Sequence, residues 1–318
     1  MTDESSRTPH WASISETTTV AGIRLLYLLH RVGGRVLFWA SLWPVVFTYW
    51  AAFPSMRRAS RQYLAHAHAA GALHRPPTPL TTLRHFFRFA DTLLDKLLAV
   101  SGKLRKTELH VVNREALFAD PRGAVLVTAH TGCLELCQVL AEKEVVRPLH
   151  ILTHTQMSRR FMQILKRLNP TIEVSHIEVS ALTPATLVML ADKVAAGDYL
   201  VIVGDRTPIG SDAVSRTKFL AEEAPFPNGF ALLATLLQCP LWSMICRRET
   251  DPGTKARYRV TFQKLWEPTP IPRRSRAGHF EALITRFAQQ LETELRASPL
   301  DWFNFFDFWH QQPRAGRK

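Results

Sequence analysis

The residues best suited to chemistry lie at the end of an apolar run. The run 123–129 reads as a buried strand and is followed directly by His130, with Glu135 five positions later. An imidazole with one nitrogen held by a carboxylate keeps a single tautomer, so its other nitrogen can take a proton from a hydroxyl near neutral pH. Gly132 permits the tight strand-to-helix corner that this H-x4-E spacing needs. The pattern predicts a general base, although H-x4-E pairs also arise often by chance.

The elements that must position this pair follow a repeating order. Apolar runs predict strands at 123–129, 148–153, 172–178, 199–204, 241–247 and 257–264, and helical stretches lie at 133–143, 156–168, 184–196, 229–238 and 278–297. This alternation predicts an α/β fold with a mostly parallel central sheet covered by helices on both faces. Ligands gather at the carboxyl ends of such strands, so His130 and the sequence Gly204-Asp205-Arg206 are expected at the same edge.

Two further motifs each allow two interpretations. Asp205 and Arg206 follow a strand and form either a clamp for the acceptor substrate or a structural ion pair. Asn228 and Gly229 precede a helix and either shape a turn or contact substrate. The sequence alone does not choose between these readings.

The four cysteines are too few for a disulfide framework and fit a reducing compartment. Cys133 and Cys137 could join His130 as zinc ligands, but the close CxxC pair that is usual for zinc is missing, so buried thiols are the better reading. Cys133 could also carry an acyl group if it were exposed. Backbone amides near Gly132 and Cys133 are the expected donors to an oxyanion. No GxGxxG or GxxxxGK[ST] phosphate loop occurs, so nucleotide-dependent chemistry is not expected. We also predict no metal and no other cofactor.

The charge distribution indicates an acidic partner. The net charge is +13, and residues 17–90 contain nine arginines and no Asp or Glu. They surround the uncharged segment Val36–Phe53, which holds three tryptophans and Pro44. Three interpretations stay open for this segment: insertion into one leaflet, a true membrane span, or a core helix of a soluble protein. Basic residues around an apolar segment suit anionic headgroups, and no nucleic-acid-binding signature appears.

The predicted organisation has four parts. Residues 1–19 form a polar tail without the features of a secretory signal, and 20–75 form a membrane-associated helical segment broken near Gly33-Gly34 and Pro54. Residues 80–312 contain an amphipathic helix at 80–100 and the α/β domain, and 313–318 form a basic tail. The α/β domain is expected on the cytoplasmic side of a bacterial inner membrane.

Several motifs in order resemble the lysophospholipid acyltransferase superfamily, which includes the lipid A late acyltransferases. They are His130-x4-Glu135, Gly204-Asp205-Arg206, the Pro-Phe-Pro-Asn-Gly entry to a helix, a Cys-Pro-Leu-Trp strand and the closing aromatic run 301–309. The resemblance covers roughly 105–312, and its nearest branch is the predicted acyltransferases of aryl polyene pigment pathways. Compared with the glycerolipid branch, this chain lacks the Glu-Gly-Thr-Arg form, which argues against a glycerol-phosphate acceptor.

The resemblance implies an activity and roles for the site residues. It implies transfer of an acyl group from acyl carrier protein or acyl-CoA to a hydroxyl of a lipid or glycolipid, with His130 as general base and Glu135 as the acid that orients it. It also implies that Gly204, Asp205 and Arg206 hold the acceptor. Two other functions compete with this one: a membrane-bound scaffold of the same fold without chemistry, and a basic nucleic-acid-binding protein.

Overall fold

The computed structural model describes residues 20–100, 103, 108–133, 147–153, 174–178, 183–207 and 213–311. Within these ranges the protein has an α/β fold with one large sheet. Its strands are β1 (Leu109–Val112), β2 (Ala124–Thr128), β3 (Leu149–Thr153), β4 (Val174–Glu178), β5 (Tyr199–Val203), β8 (Leu241–Arg248) and β9 (Tyr258–Trp266), and a separate hairpin contains β6 (Val214–Phe219) and β7 (Glu222–Pro227). The described helices are α1 (Val20–Ala52), α2 (Pro54–Ala69), α3 (Pro79–Val100), α4 (Arg114–Phe118), α5 (Pro184–Ala195), α6 (Gly229–Leu237) and α7 (Arg276–Ala297).

The seven-stranded sheet has the order β1-β9-β8-β2-β5-β3-β4. The five strands from β8 to β4 run parallel to one another, whereas β9 is antiparallel to β8, and β1 is parallel to β9. This confirms the prediction of a mostly parallel sheet. It also puts β2 in the middle, paired on both sides, and the carboxyl end of β2 carries His130.

Alternating side chains of β2 point into two separate cores, one on each face of the sheet. Val125 and Val127 belong to a core formed with α2, α5, α6 and α7. Ala124 and Leu126 belong to the opposite core, formed with α1, α3 and α4. A strand buried on both faces reads as a continuous apolar run, which is the pattern seen in this sequence. Helices thus cover both faces, as predicted.

The N-terminal helices bend where the sequence predicts breaks. Gly34 has a φ of +61°, a conformation that favours glycine, and it interrupts α1. Pro54 begins α2, and the guanidinium of Arg57 donates to the carbonyl of Trp50 at 2.7 Å, which satisfies an end of α1. No single helix in the described part of the chain is long and apolar enough to cross a bilayer. Two consecutive helices reach that length and apolarity only when they are taken together, and they meet at a bend of 94°: Leu28–Ala52 and Pro54–Ala69.

Polar contacts fasten the inner side of α1 to the body. Arg35 contacts Asp91 at 3.0 Å and Asp95 at 2.6 Å, and the indole of Trp39 donates to Asp91 at 2.8 Å. Arg35 was expected to be among the arginines that attract lipid headgroups, but it pairs with acids of α3 instead. Five of the nine arginines remain exposed on the described surface: Arg31, Arg58, Arg61, Arg75 and Arg84.

The hairpin β6–β7 was not predicted from the sequence. Buried residues alternate with more exposed ones in β6 but not in β7, and the turn is formed by Leu220 and Ala221 at φ 50° and 71°, where glycine or asparagine is usual. Pro225 and Pro227 also argue against a strand. The carboxylate of Glu292 accepts the amide of Leu220 at 2.8 Å, so helix α7 holds this unusual turn in place. The predicted helix 156–168 lies outside the described residues, as does the predicted helix 133–143 after its first residue.

Candidate functional site

His130 and Asp205 meet because their strands are neighbours in register. Thr128 of β2 pairs with Val203 of β5, and the amide of Gly204 donates to the Thr128 carbonyl at 2.8 Å. The residues that follow the two strands therefore lie side by side. The distance from His130 Nδ1 to Asp205 Oδ1 is 2.7 Å, and the His130 amide donates to Asp205 Oδ2 at 2.9 Å.

The carboxylate of Asp205 is fully buried and surrounded by donors. Its Oδ2 accepts from the indole Nε1 of Trp302 at 2.8 Å and from the amide Nδ2 of Asn304 at 2.9 Å, in addition to the His130 amide. Its Oδ1 accepts from the ring of His130. Burial acts to raise the pKa of Asp205, but His130 and Arg206 outweigh it and lower the pKa to about 2. Asp205 is therefore ionised at neutral pH.

These contacts fix the tautomer of His130. An ionised carboxylate only accepts hydrogen bonds, so Nδ1 of His130 must carry the proton. Burial and the nearby charge of Arg206 lower the pKa of His130 below its ordinary 6.5, although Asp205 acts in the opposite direction. The neutral ring therefore has a lone pair on Nε2, and no hydrogen bond from the described residues reaches that atom. The side chain is 31 % exposed, so a substrate hydroxyl can approach it.

A C-terminal segment, Asp301–Trp309, closes over the site; we call it the aromatic strap. Its backbone pairs with the turn after β2: the amide of Phe303 donates to the His130 carbonyl at 2.8 Å, and the amide of Gly132 donates to the Asp301 carbonyl at 3.0 Å. A bridge between Thr131 and Trp302 lies between these bonds. The strap thus holds His130 by its backbone and Asp205 by its side chain.

Arg206 places a positive charge beside the pair. Its Nε–H donates to Asn304 at 3.1 Å, and its guanidinium lies 5.9 Å from the ring centre of Phe306. Burial lowers the pKa of Arg206 to about 10, so the group stays charged at neutral pH. Arg206 can therefore stabilise negative charge that develops next to His130.

Two glycines are required for this packing. A Cβ on Gly204 would lie 2.5 Å from Val127 and 3.0 Å from Phe287. Gly132 has a φ of +47°, and a Cβ there would lie 2.6 Å from the Cys246 carbonyl. The backbone geometry of the site thus requires both glycines, and their predicted contact with substrate stays a prediction.

The structure differs from the sequence interpretation at two of the candidate residues and agrees with it at a third. Asp205, expected to hold the acceptor or to pair with Arg206, is fully buried and bonded to His130. The amide of Gly132 was expected to donate to an oxyanion, but it is already bonded to Asp301. Cys133 is fully buried in the core on the α1 side, which confirms the preferred reading of a buried thiol and leaves it inaccessible as an acyl-carrying nucleophile.

Asn228 and Gly229 lie at the beginning of α6. Phe230 in the first turn would contact a Cβ on Gly204 at 3.2 Å, so this helix end lies beside the site. The amide of Asn228 donates to the Ala213 carbonyl at 2.9 Å, and its Oδ1 is buried without a hydrogen-bond partner among the described residues. The bond to Ala213 agrees with the turn reading, and substrate contact by Asn228 or Gly229 stays a prediction.

Glu135 lies outside the described residues, so its role stays a prediction. The edge at which Asp205 lies was predicted correctly from the sequence, but nothing there indicated that Trp302 and Asn304 donate to it. Those two residues are nearly 100 positions away along the chain, and the run 301–309 served only as one of the motifs of the resemblance. Across the described ranges, no three His, Cys, Asp or Glu side chains converge on a point that could hold a metal ion.

The lowered pKa of His130 predicts the pH dependence of any reaction in which it acts as base. Only the neutral ring can accept a proton, so kcat/KM should fall as the pH drops through the pKa of His130. Because that pKa is below 6.5, we expect the fall below pH 6.5, with a one-proton slope. A kcat/KM profile measured between pH 4.5 and 8 checks this. A half-maximal point above 6.5 would contradict it.

Comparison with known proteins adds no relative to this picture. A scan against models of protein families gives no match, and a search of curated proteins finds no similar sequence.

Proposed function

We propose that this protein is a membrane-associated O-acyltransferase that moves an acyl group from a thioester to the hydroxyl of a lipid or glycolipid. The donor is acyl carrier protein or acyl-CoA, and the acceptor is an aryl polyene lipid or a lipid A-like molecule. One observation carries the proposal: His130 is partly exposed at the carboxyl edge of the sheet, with its tautomer fixed by buried Asp205. The order of motifs that resembles lysophospholipid acyltransferases supports it.

The reaction needs one base and no covalent intermediate. His130 Nε2 takes the proton of the acceptor hydroxyl while the oxygen attacks the thioester carbonyl. The resulting imidazolium is stabilised by Asp205, and the positive charge of Arg206 next to this pair can stabilise the tetrahedral oxyanion. The carbon–sulfur bond then breaks, and the leaving thiolate takes the proton from His130. The products are an acyl ester and a free thiol.

In this proposal Asp205 orients His130. The resemblance gives the same role to Glu135, and the 2.7 Å contact supports Asp205 instead. Glu135 is five residues after His130 on the predicted helix and stays a candidate for a second acid near the base. The two acids can be compared directly by substitution.

The outer side of α1 supports membrane association. After the break at Gly33-Gly34, Val36, Trp43 and Phe47 recur at spacings of seven and four residues, and each is at least 42 % exposed. Side chains at such spacings form a stripe along one helix face. Basic residues near an apolar stripe favour the anionic surface of a bilayer, here the cytoplasmic face of the inner membrane. The same positive charge suits an acidic carrier protein as donor.

Val36 tests this membrane surface, and Val188 provides a matched control. Both valines are exposed, at 78 % and 63 %, but Val188 is on α5, which packs on the opposite face of the sheet. Val36→Asp should weaken binding to phosphatidylglycerol vesicles about tenfold, since it removes roughly 1.5 kcal/mol of apolar burial. Val188→Asp should bind as wild type. Flotation of vesicles with each variant measures the effect, and equal binding by both variants would contradict the proposal.

An assay with defined donors tests the activity. The purified full-length protein would be incubated with acyl carrier protein thioester or acyl-CoA and with lipid extracts of the host. Mass spectrometry should detect a lipid that gains one acyl ester, and free thiol should appear in equal amount. Thiol release without ester formation would indicate a thioesterase. Neither product with either donor would support the inactive scaffold.

A further inference from the structure

A second histidine, His85 on α3, is linked to the site through the aromatic strap. Its Nε2 is 2.8 Å from the carbonyl of Trp302, and its Nδ1 is 2.9 Å from the hydroxyl of Ser60 on α2. Both His85 and Ser60 are fully buried. His85 therefore joins two N-terminal helices to the strap residue that donates to Asp205.

The direction of each hydrogen bond in this chain is determined. Burial lowers the pKa of His85 to about 4, so the ring is neutral at physiological pH and has one N–H. A carbonyl can only accept, so the Trp302 contact requires the proton on Nε2. Nδ1 then accepts from Ser60. The chain continues as the Trp302 indole donates to Asp205 Oδ2, while Asp205 Oδ1 accepts from His130.

Packing leaves the His85 ring little freedom. The ring lies 4.7 Å from the centre of Phe305 and 5.5 Å from that of Tyr63. Tyr63 in turn contacts the Trp302 ring edge to face at 4.9 Å, and its hydroxyl donates to the Pro299 carbonyl at 2.7 Å. Helices α2 and α3 therefore hold the start of the strap from several sides.

A buried imidazole among aromatic rings is costly unless its nitrogens are bonded. At this position it provides a donor that an aromatic residue of similar shape lacks, and the donor is aimed at the backbone of Trp302. We propose that His85 is a positioning residue: its bond fixes Trp302, whose indole keeps Oδ2 of Asp205 occupied so that Oδ1 faces His130. The catalytic consequence rests on the proposed role of His130 as base.

Glutamine and asparagine variants test the roles of the two ring nitrogens of His85 one at a time. The side-chain amide introduced by His85→Gln is long enough to donate to the Trp302 carbonyl, whereas the shorter side chain in His85→Asn reaches only toward Ser60. We expect the kcat/KM of His85→Gln to stay close to that of wild type. In His85→Asn, kcat/KM should fall about 10²-fold, the effect of a catalytic group displaced by about 1 Å. Ser60→Ala is the matched control. It keeps the bond from His85 to the Trp302 carbonyl, so its kcat/KM should fall little.

Nitrogen-15 NMR of the histidine rings provides a readout that requires no substrate. In wild type and His85→Gln, His130 should carry its proton on Nδ1 at pH 7.5. In His85→Asn, part of the population should shift to Nε2, and the pKa of His130 should fall further. Identical His130 spectra in folded His85→Asn and His85→Gln would overturn the proposal. If acyl transfer is absent but these spectra differ as expected, the positioning role stands and only the proposed function fails.

A second variant covers the case in which His85→Asn does not fold. Trp302→Phe keeps the backbone carbonyl that His85 binds but removes the indole donor to Asp205. The same change in the His130 tautomer is expected. A His130 titration unchanged from wild type in this variant would also overturn the proposal.

Discussion

Replacing His130 with asparagine should reduce kcat/KM for acyl transfer by about 10⁴-fold, the upper range of what a general base contributes. Asparagine has no basic nitrogen, but its Nδ2–H can replace the imidazole Nδ1–H as donor to Asp205 Oδ1. The backbone bonds of residue 130 to Asp205 and Phe303 do not involve the ring. The variant should therefore fold normally. Steady-state kinetics with the thioester donor, together with urea denaturation, measure both quantities.

His130→Ala is the informative companion to this variant. It also removes the base, but it leaves Oδ1 of a fully buried carboxylate without its ring partner. We expect the free energy of unfolding to fall by about 1–3 kcal/mol, the cost of an unsatisfied buried polar group. If both variants lose activity equally but only His130→Ala loses stability, the loss of activity comes from the missing base and not from misfolding. Full activity in His130→Asn would contradict the base and support the scaffold hypothesis.

Replacing Asp205 with asparagine should reduce kcat/KM by about 10³- to 10⁴-fold. Three N–H donors point at the Oδ2 position, so the carbonyl oxygen of the new amide must occupy it. Its NH2 group then faces Nδ1 of His130 and donates to it. The proton of the neutral ring moves to Nε2, which can no longer accept one from the acceptor hydroxyl. Kinetics and the nitrogen-15 spectrum of His130 check this prediction.

Glu135→Gln provides the comparison for Asp205→Asn. If Asp205 orients the base, only Asp205→Asn should move the proton of His130 to Nε2. A wild-type rate and an Nδ1–H tautomer in Asp205→Asn would contradict the assignment. If Glu135→Gln instead changed the tautomer, the orienting role would belong to Glu135, as the resemblance implies.

The central strands of the sheet were predictable because most of their residues are buried, whereas the half-buried edge strand β1 was not predicted. Residues 123–129 and 199–204 read as continuous apolar runs, and the structure confirms β2 at Ala124–Thr128 and β5 at Tyr199–Val203. The hairpin β6–β7 was not predictable, since its turn uses Leu220 and Ala221 in left-handed conformations. Its stability depends on Glu292, more than 70 residues later, and local sequence does not report such a contact.

Periodicity and chain punctuation are local signals, so they were enough to predict the α/β class, the break at Gly33-Gly34 and the position of His130 and Asp205 at one edge. They did not show which acid among the described residues would contact His130. That choice depends on the β2–β5 register and on Trp302 and Asn304, which approach only after the strap has folded over the sheet. Register and long-range packing set the distance between a base and its acid, and no spacing along the chain records that distance.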